Sequence, residues 1–141
     1  MPEEREKDQG WQHTGITSDG KINCRIVDLS TEEVIKIPVG TGPAQVYISS
    51  DNKHVIVANQ GTEQNPSNSI SKIDMVTKQV IATIETGKGA HSVVVSPDNR
   101  NIYVTNMFVN TVTMIDNETN KVISTIKVGT TPNGISVTPL K

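Results

Sequence analysis

Few residues in this sequence could do chemistry. It has three histidines, His13, His54 and His91, a single cysteine, Cys24, and four methionines. Imidazole changes charge near neutral pH and is a common metal ligand, so the histidines come first. His91 sits in Gly89-Ala90-His91-Ser92, between two runs of strand character. There it could ligate a metal or haem, or act as an acid–base group. The plainer reading is a loop histidine bonded to backbone. Met107 could add a soft thioether ligand, although a loop methionine also serves as packing. Cys24 has no second cysteine for an intrachain disulfide and reads as a small core residue. No Ser-His-Asp set, Cys-x-x-Cys pair, His-Glu-x-x-His or phosphate-binding glycine loop is present. Gly87-Lys88-Gly89-Ala90 lacks both the spacing and the following helix of such a loop.

These residues are positioned by a repeat. Gly40, Gly87 and Gly129 mark its ends, 47 and 42 residues apart. The difference of five falls between Asn59 and Asp74, which are 15 apart where Asn106 and Asp116 are 10 apart. The extra residues lie in 60–69, rich in Asn, Ser, Gly and Pro, and read as a longer surface loop. Each unit holds four short β-type runs, here a, b, c and d. Run a is 46–51 in one unit and 93–98 in the next. Run b is 55–59 and then 102–106, run c ends at Asp74 and Asp116, and run d is 80–84 and 122–126. A four-strand unit of 40 to 45 residues is the pattern of a β-propeller blade. Val93, Val94 and Val95 are apolar on both faces, as an enclosed inner strand requires. Run d alternates, as a strand meeting water should. Asp28, Asp51, Asp74, Asp98 and Asp116 recur at turns, where Asx side chains bond their own backbone, and read as turn formers rather than catalytic acids.

The fold class is therefore all-β, with about three four-stranded antiparallel blades and 12 strands. Residues 1–10 read as a charged, disordered tail, and 11–141 as a partial propeller. Its first blade supplies strands b to d over 11–39, including a hairpin turn at Ser18-Asp19-Gly20. The second spans 43–86 and the third 90–128. Residues 132–138, PNGISVT, repeat strand a, the strand the first blade lacks, and are expected to complete that blade or its equivalent in a partner chain. Propellers have about 4–8 blades, and a three-blade arc would expose two apolar blade faces, which implies a partner. A head-to-tail dimer of six blades answers this. So does the remainder of a longer propeller.

Composition narrows the function. Apolar content is 34%, mainly Val and Ile, aromatic content is 3%, and net charge is -2. A nucleic-acid surface would show a basic stripe with stacking aromatics, so nucleic acid is not expected as a partner. No apolar run approaches the roughly 20 residues of a membrane span. The N-terminal MPEEREKDQG lacks the apolar stretch of a signal peptide, and the compartment is left open.

The letters Tyr103-Val104-Thr105-Asn106, within SPDNRNIYVTNMFVNTVTMID and KVISTIKVGTTPNGISV, closely resemble the YVTN-type β-propeller repeat, over roughly residues 22–138. That resemblance implies surface-layer and secreted propellers and the similar d1-haem propeller of cytochrome cd1 nitrite reductases. It also implies an exported or cell-surface setting if the chain is part of a precursor. The d–a and b–c connections of a propeller share one face around the channel. They place Gln45, Asn59, Gln60, His91, Asn106, Met107, Phe108 and Asn133 on a candidate ligand-binding face, with His91 the candidate metal ligand. His91 is special because its repeat equivalents are Ala44 and Asn133. His54 should lie on the opposite face. The expected function is a non-enzymatic scaffold binding a protein or small ligand there, with no cofactor required. The alternatives are a haem- or copper-dependent redox propeller using His91, and a structural surface-layer or adhesion module.

Overall fold

A computed structural model describes residues 10–16, 22–28 and 30–139, with side-chain surroundings from residue 23 onward. The charged N-terminal tail and the Ser18-Asp19-Gly20 turn lie outside the described residues. Among the described residues eleven strands follow in chain order: β1 (Gly10–Ile16), β2 (Ile22–Val27), β3 (Val34–Pro38), β4 (Pro43–Ile48), β5 (His54–Gly61), β6 (Pro66–Asp74), β7 (Gln79–Glu85), β8 (Ala90–Val95), β9 (Asn101–Asn106), β10 (Thr111–Asp116) and β11 (Lys121–Lys127). They form three antiparallel meanders, β1-β2-β3, β4-β5-β6-β7 and β8-β9-β10-β11, called blades 1, 2 and 3 below. The fold is all-β, a partial propeller.

The turns form as their residue types dictate. Asp51 accepts from the Ser49 hydroxyl at 2.6 Å and the Lys53 amide at 3.0 Å, and Asp98 repeats this with Ser96 and Arg100. Asp28, Asp74 and Asp116 each accept backbone amides two or three residues on. Asn52 and Asn99 take positive φ, which Asn tolerates better than most residues. The recurrent aspartates hold turns, and none is drawn into a catalytic cluster.

The blades stack through two apolar layers. Blade 2 offers Ile56, Ala58, Ile70 and Ile84 to Ala90, Val93, Val95, Ile102, Val104 and Ile115 of blade 3. Blade 1 offers Cys24, Ile26 and Ile37 to Val55, Val57, Ile73 and Met75 of blade 2. Burial pushes the Cys24 thiol up to about 11, as a small core residue. One polar contact between blades 2 and 3 is unannounced by the repeat. Lys72 of β6, only 3% exposed, donates to the Asn117 carbonyl at 2.7 Å and to Asn120 Oδ1 at 2.9 Å. Burial lowers its pKa, with Asp116 and Asp51 opposing. Its repeat equivalent is Met114.

The expected twelfth strand is not formed. Residues 132–138 carry strand-a letters but no ladder. Ile135 and Val137 instead lie across an open, largely apolar gap of about 670 Å³ from Tyr103 and Pro97. A strand forms only where backbone groups find a partner. β1, the strand this segment should join, lies at the far end of the stack and is a sheet edge among the described residues.

Candidate functional site

The loop face is assembled by backbone contacts between each d–a junction and the following b–c loop. Gln60 and Gly61 amides donate to Gly42 and Thr41 carbonyls at 2.8 and 3.1 Å. Met107 and Phe108 amides donate likewise to Gly89 and Lys88 at 2.9 and 3.2 Å. These approaches are too close for side chains. A Cβ on Gly42 would stand 2.6 Å from the Gly61 backbone, and both glycines have positive φ. The junction holding Gln60 is therefore rigid.

His91 lies where β8 departs from regular pairing. Ala90 faces Asn106 and Val93 faces Val104, so His91 and Ser92 together oppose Thr105 in a β-bulge. β4 shifts register at the same point, between Pro43 and Gln45. Bulges re-aim side chains beside functional sites. The bulge thus belongs to the scaffold, whereas the histidine does not, since Ala44 occupies the matching place. Its neighbour is fixed on both sides: Ser92 N donates to Thr105 Oγ1 at 3.0 Å, and Ser92 Oγ donates to Gln45 Oε1 at 2.7 Å. Gln45 Oε1 also accepts from Val93 N at 3.0 Å.

The His91 Nδ1 lies 2.6 Å from Gln60 Oε1. The oxygen can only accept, so Nδ1 carries the proton. Desolvation lowers the His91 pKa below its ordinary value, which keeps the ring neutral at physiological pH.

The sequence-predicted residues separate into four places. Gln45, Gln60 and His91 meet at the junction of blades 2 and 3. Met107 and Phe108 line a second, outer groove of about 630 Å³ with Glu63, Pro66, Lys88 and Thr131. There the Phe108 ring rests on Gly89, where a Cβ would stand 2.7 Å from it. Asn59 and Asn106 are inside the blades at 0% exposure. Asn106 donates to Thr111 and Thr113 hydroxyls at 3.0 and 2.8 Å and accepts from Gly87 N at 3.1 Å. Asn59 donates to Ser69 and Ser71. These two amides tie strand b to strand c. Asn133 is exposed on the C-terminal segment. His54 sits on the opposite, turn face with Asp51, Arg100 and Asp116.

Sequence reasoning missed Lys88 as a groove residue and the Gln45–Ser92 bond. The signal for Lys88 was its place between Gly87 and Gly89; nothing announced the bond. Among the described residues, no group of three or more His, Cys, Asp or Glu could hold a metal ion. His91 would bring such an ion a single side-chain ligand.

None of the curated proteins compared with the chain matches it. Solved structures do resemble it. Hydrazine synthase of Kuenenia stuttgartiensis is 24% identical over 87% of this chain and 37% of its own, with a TM-score of 0.70. The dihydro-haem d1 dehydrogenase NirN, solved with DHE, is 17% identical over 89% of this chain and 27% of its own, at 0.72. The β-propeller domain of the trilobed protease of Pyrococcus furiosus, which has an open velcro topology, is 20% identical over 80% of this chain and 36% of its own, at 0.60. At these identities the likeness is one of fold. The chain spans only 27% to 37% of the length of these three structures. The model of one family matches residues 15–139, nearly the whole chain, and the protein belongs to that family, the YNCE-like β-propellers.

Proposed function

We propose that this protein is a non-enzymatic propeller scaffold that binds a small ligand on its loop face, at the junction of blades 2 and 3. The observation that carries the reading is the Gln60–His91 contact at 2.6 Å. The scaffold does not call for it: Met107 stands at the repeat position of Gln60, and Ala44 and Asn133 at that of His91. Residues that a repeat does not need, held rigidly at a loop junction, are where function is expected.

The ring around this face is larger than the chain. Blade 3 carries an apolar outer face, and either a second copy or further blades of a longer propeller cover it. The second copy is the reading tested below, because 132–138 of one chain matches the strand that β1 of another would need. The neighbours' greater length favours further blades.

Native mass spectrometry of purified protein tests the ligand-binding reading, alone and with small-molecule mixtures. The wild type should retain a small molecule that His91→Ala releases. A wild type that retains nothing, or a variant that retains the same molecule equally well, contradicts it.

A further inference from the structure

We infer that Gln60 is the positioning residue of the site: it fixes His91 as the Nδ1–H tautomer, so that Nε2 offers a lone pair to an uncharged hydroxyl or amide of the ligand. The inference rests on the reading above that His91 meets a ligand, and it adds the chemical class of that ligand.

Three observations carry it. Gln60 Oε1 accepts at 2.6 Å, so the proton on the neutral ring is at Nδ1 and Nε2 is the acceptor. Nε2 has no hydrogen-bond partner among the described residues, and His91 is only half-buried. The backbone that carries Gln60 is held in place, because its main-chain N–H donates to the Gly42 carbonyl and the Gly42–Gly61 backbone contact has no slack. A histidine whose second nitrogen is fixed in this way is oriented for what binds the first, as second-shell partners do elsewhere.

The ligand class follows from the surroundings. Burial alone lowers the His91 pKa, with no charged group acting on the ring. One residue along, Gln45 Oε1 is occupied by Ser92 and Val93, and its amide nitrogen remains to donate. The pair offers one acceptor and one donor without charge. A hydroxyl or primary amide answers both, whereas a carboxylate or phosphate would face the Nε2 lone pair.

Ring-nitrogen NMR of 15N-labelled protein above the His91 pKa tests the tautomer without any ligand. The wild type should show Nδ1 protonated and Nε2 bare. Gln60→Leu should shift His91 toward the Nε2–H form that free imidazole side chains favour. Gln60→Glu should keep Nδ1–H and raise the pKa, and it serves if the Leu variant does not fold. Phenol and anisole, which differ in the donated hydrogen, then probe the ligand class. Phenol should shift Nε2 in the wild type and less in Gln60→Leu, with anisole leaving it in place. A wild-type Nε2–H tautomer, a tautomer unchanged in Gln60→Leu, or equal responses to phenol and anisole overturns the inference. If the tautomer and phenol results hold but His91→Ala still retains its small molecule, the functional reading alone fails.

Discussion

The two sides of blade 3 are built from one repeat and meet different surroundings. On the inner side, blade 2 presents Ile56, Ile70 and Ile84 to it, and Ile84 is 5% exposed. On the outer side blade 3 presents the equivalents Tyr103, Val112 and Ile126, and Ile126 is 52% exposed. The same contrast separates the inner strands. β8 is enclosed because β4 and β5 of the preceding blade lie on it. β4 is half open because blade 1 has no inner strand among the described residues. Burial here depends on the neighbour as well as on the letters: the outer face of blade 3 has the letters of the covered face and is exposed.

Ways to break that comparison differ in size. The largest effect belongs to the closed junction. Ile84→Ala should destabilise the protein by about 2–5 kcal/mol in denaturant unfolding, as for other buried large-to-small changes. A cost as small as that of an exposed position would mean that blades 2 and 3 do not pack as described. Next is the polar contact across the same junction. Lys72→Met copies Met114 but leaves the buried Asn117 carbonyl without its donor, so a loss of about 1–3 kcal/mol is expected. No loss would show that the repeat's apolar residue serves equally well there.

Acid should separate the two histidines from the turn aspartates. His54 and His91 both have pKa values held below the ordinary 6.5, chiefly by burial, with Lys72 adding to the effect at His54 and Asp51 and Asp74 opposing it. A depressed histidine binds its proton more readily when unfolded. The cost to the fold is therefore absent above about 6.5 and grows as pH falls below it. Asp28, Asp74 and Asp98 are held below 3.8 by hydrogen bonds from Ser30, Thr77 and Ser96, and the stability they contribute is lost only as pH falls through those lower values. Melting temperature should decline in two windows, and His91→Asn should flatten the upper one. A decline confined to the lower window would place His91 in a more solvated setting. The smallest change to the fold is at Cys24. Its buried thiol should react with a disulfide reagent only as the protein unfolds, and prompt reaction in buffer would mean that the junction of blades 1 and 2 opens readily.

How much of this was legible in the sequence depends on the range of the interaction. The turns were readable because Asp51 and Asp98 bond atoms two residues away. The inner strand was readable because Val93-Val94-Val95 is apolar on both faces, and all three are buried. Cys24 was readable as core from its alignment with Ile70 and Val112. The site was legible only as a face. His91, Gln60 and Gln45 were on it, but their meeting depends on a bulge at residue 91 and a glycine contact between residues 42 and 61, which no local pattern announces. Asn59 and Asn106 looked like loop residues because they end their strands. Their amides turn inward to hydroxyls on β6 and β10, contacts set by register. Lys72 was missed because a lysine within a strand ordinarily signals a solvated face.

The account depends most on the outer face of blade 3 being an interface between blades. Light scattering of the purified 141-residue chain tests this directly. The expected mass is twice the 15.3 kDa of one chain, returning to 15.3 kDa in Ile126→Glu, which charges the outer face and leaves the inner one intact. A monodisperse wild type of 15.3 kDa that melts cooperatively would contradict it.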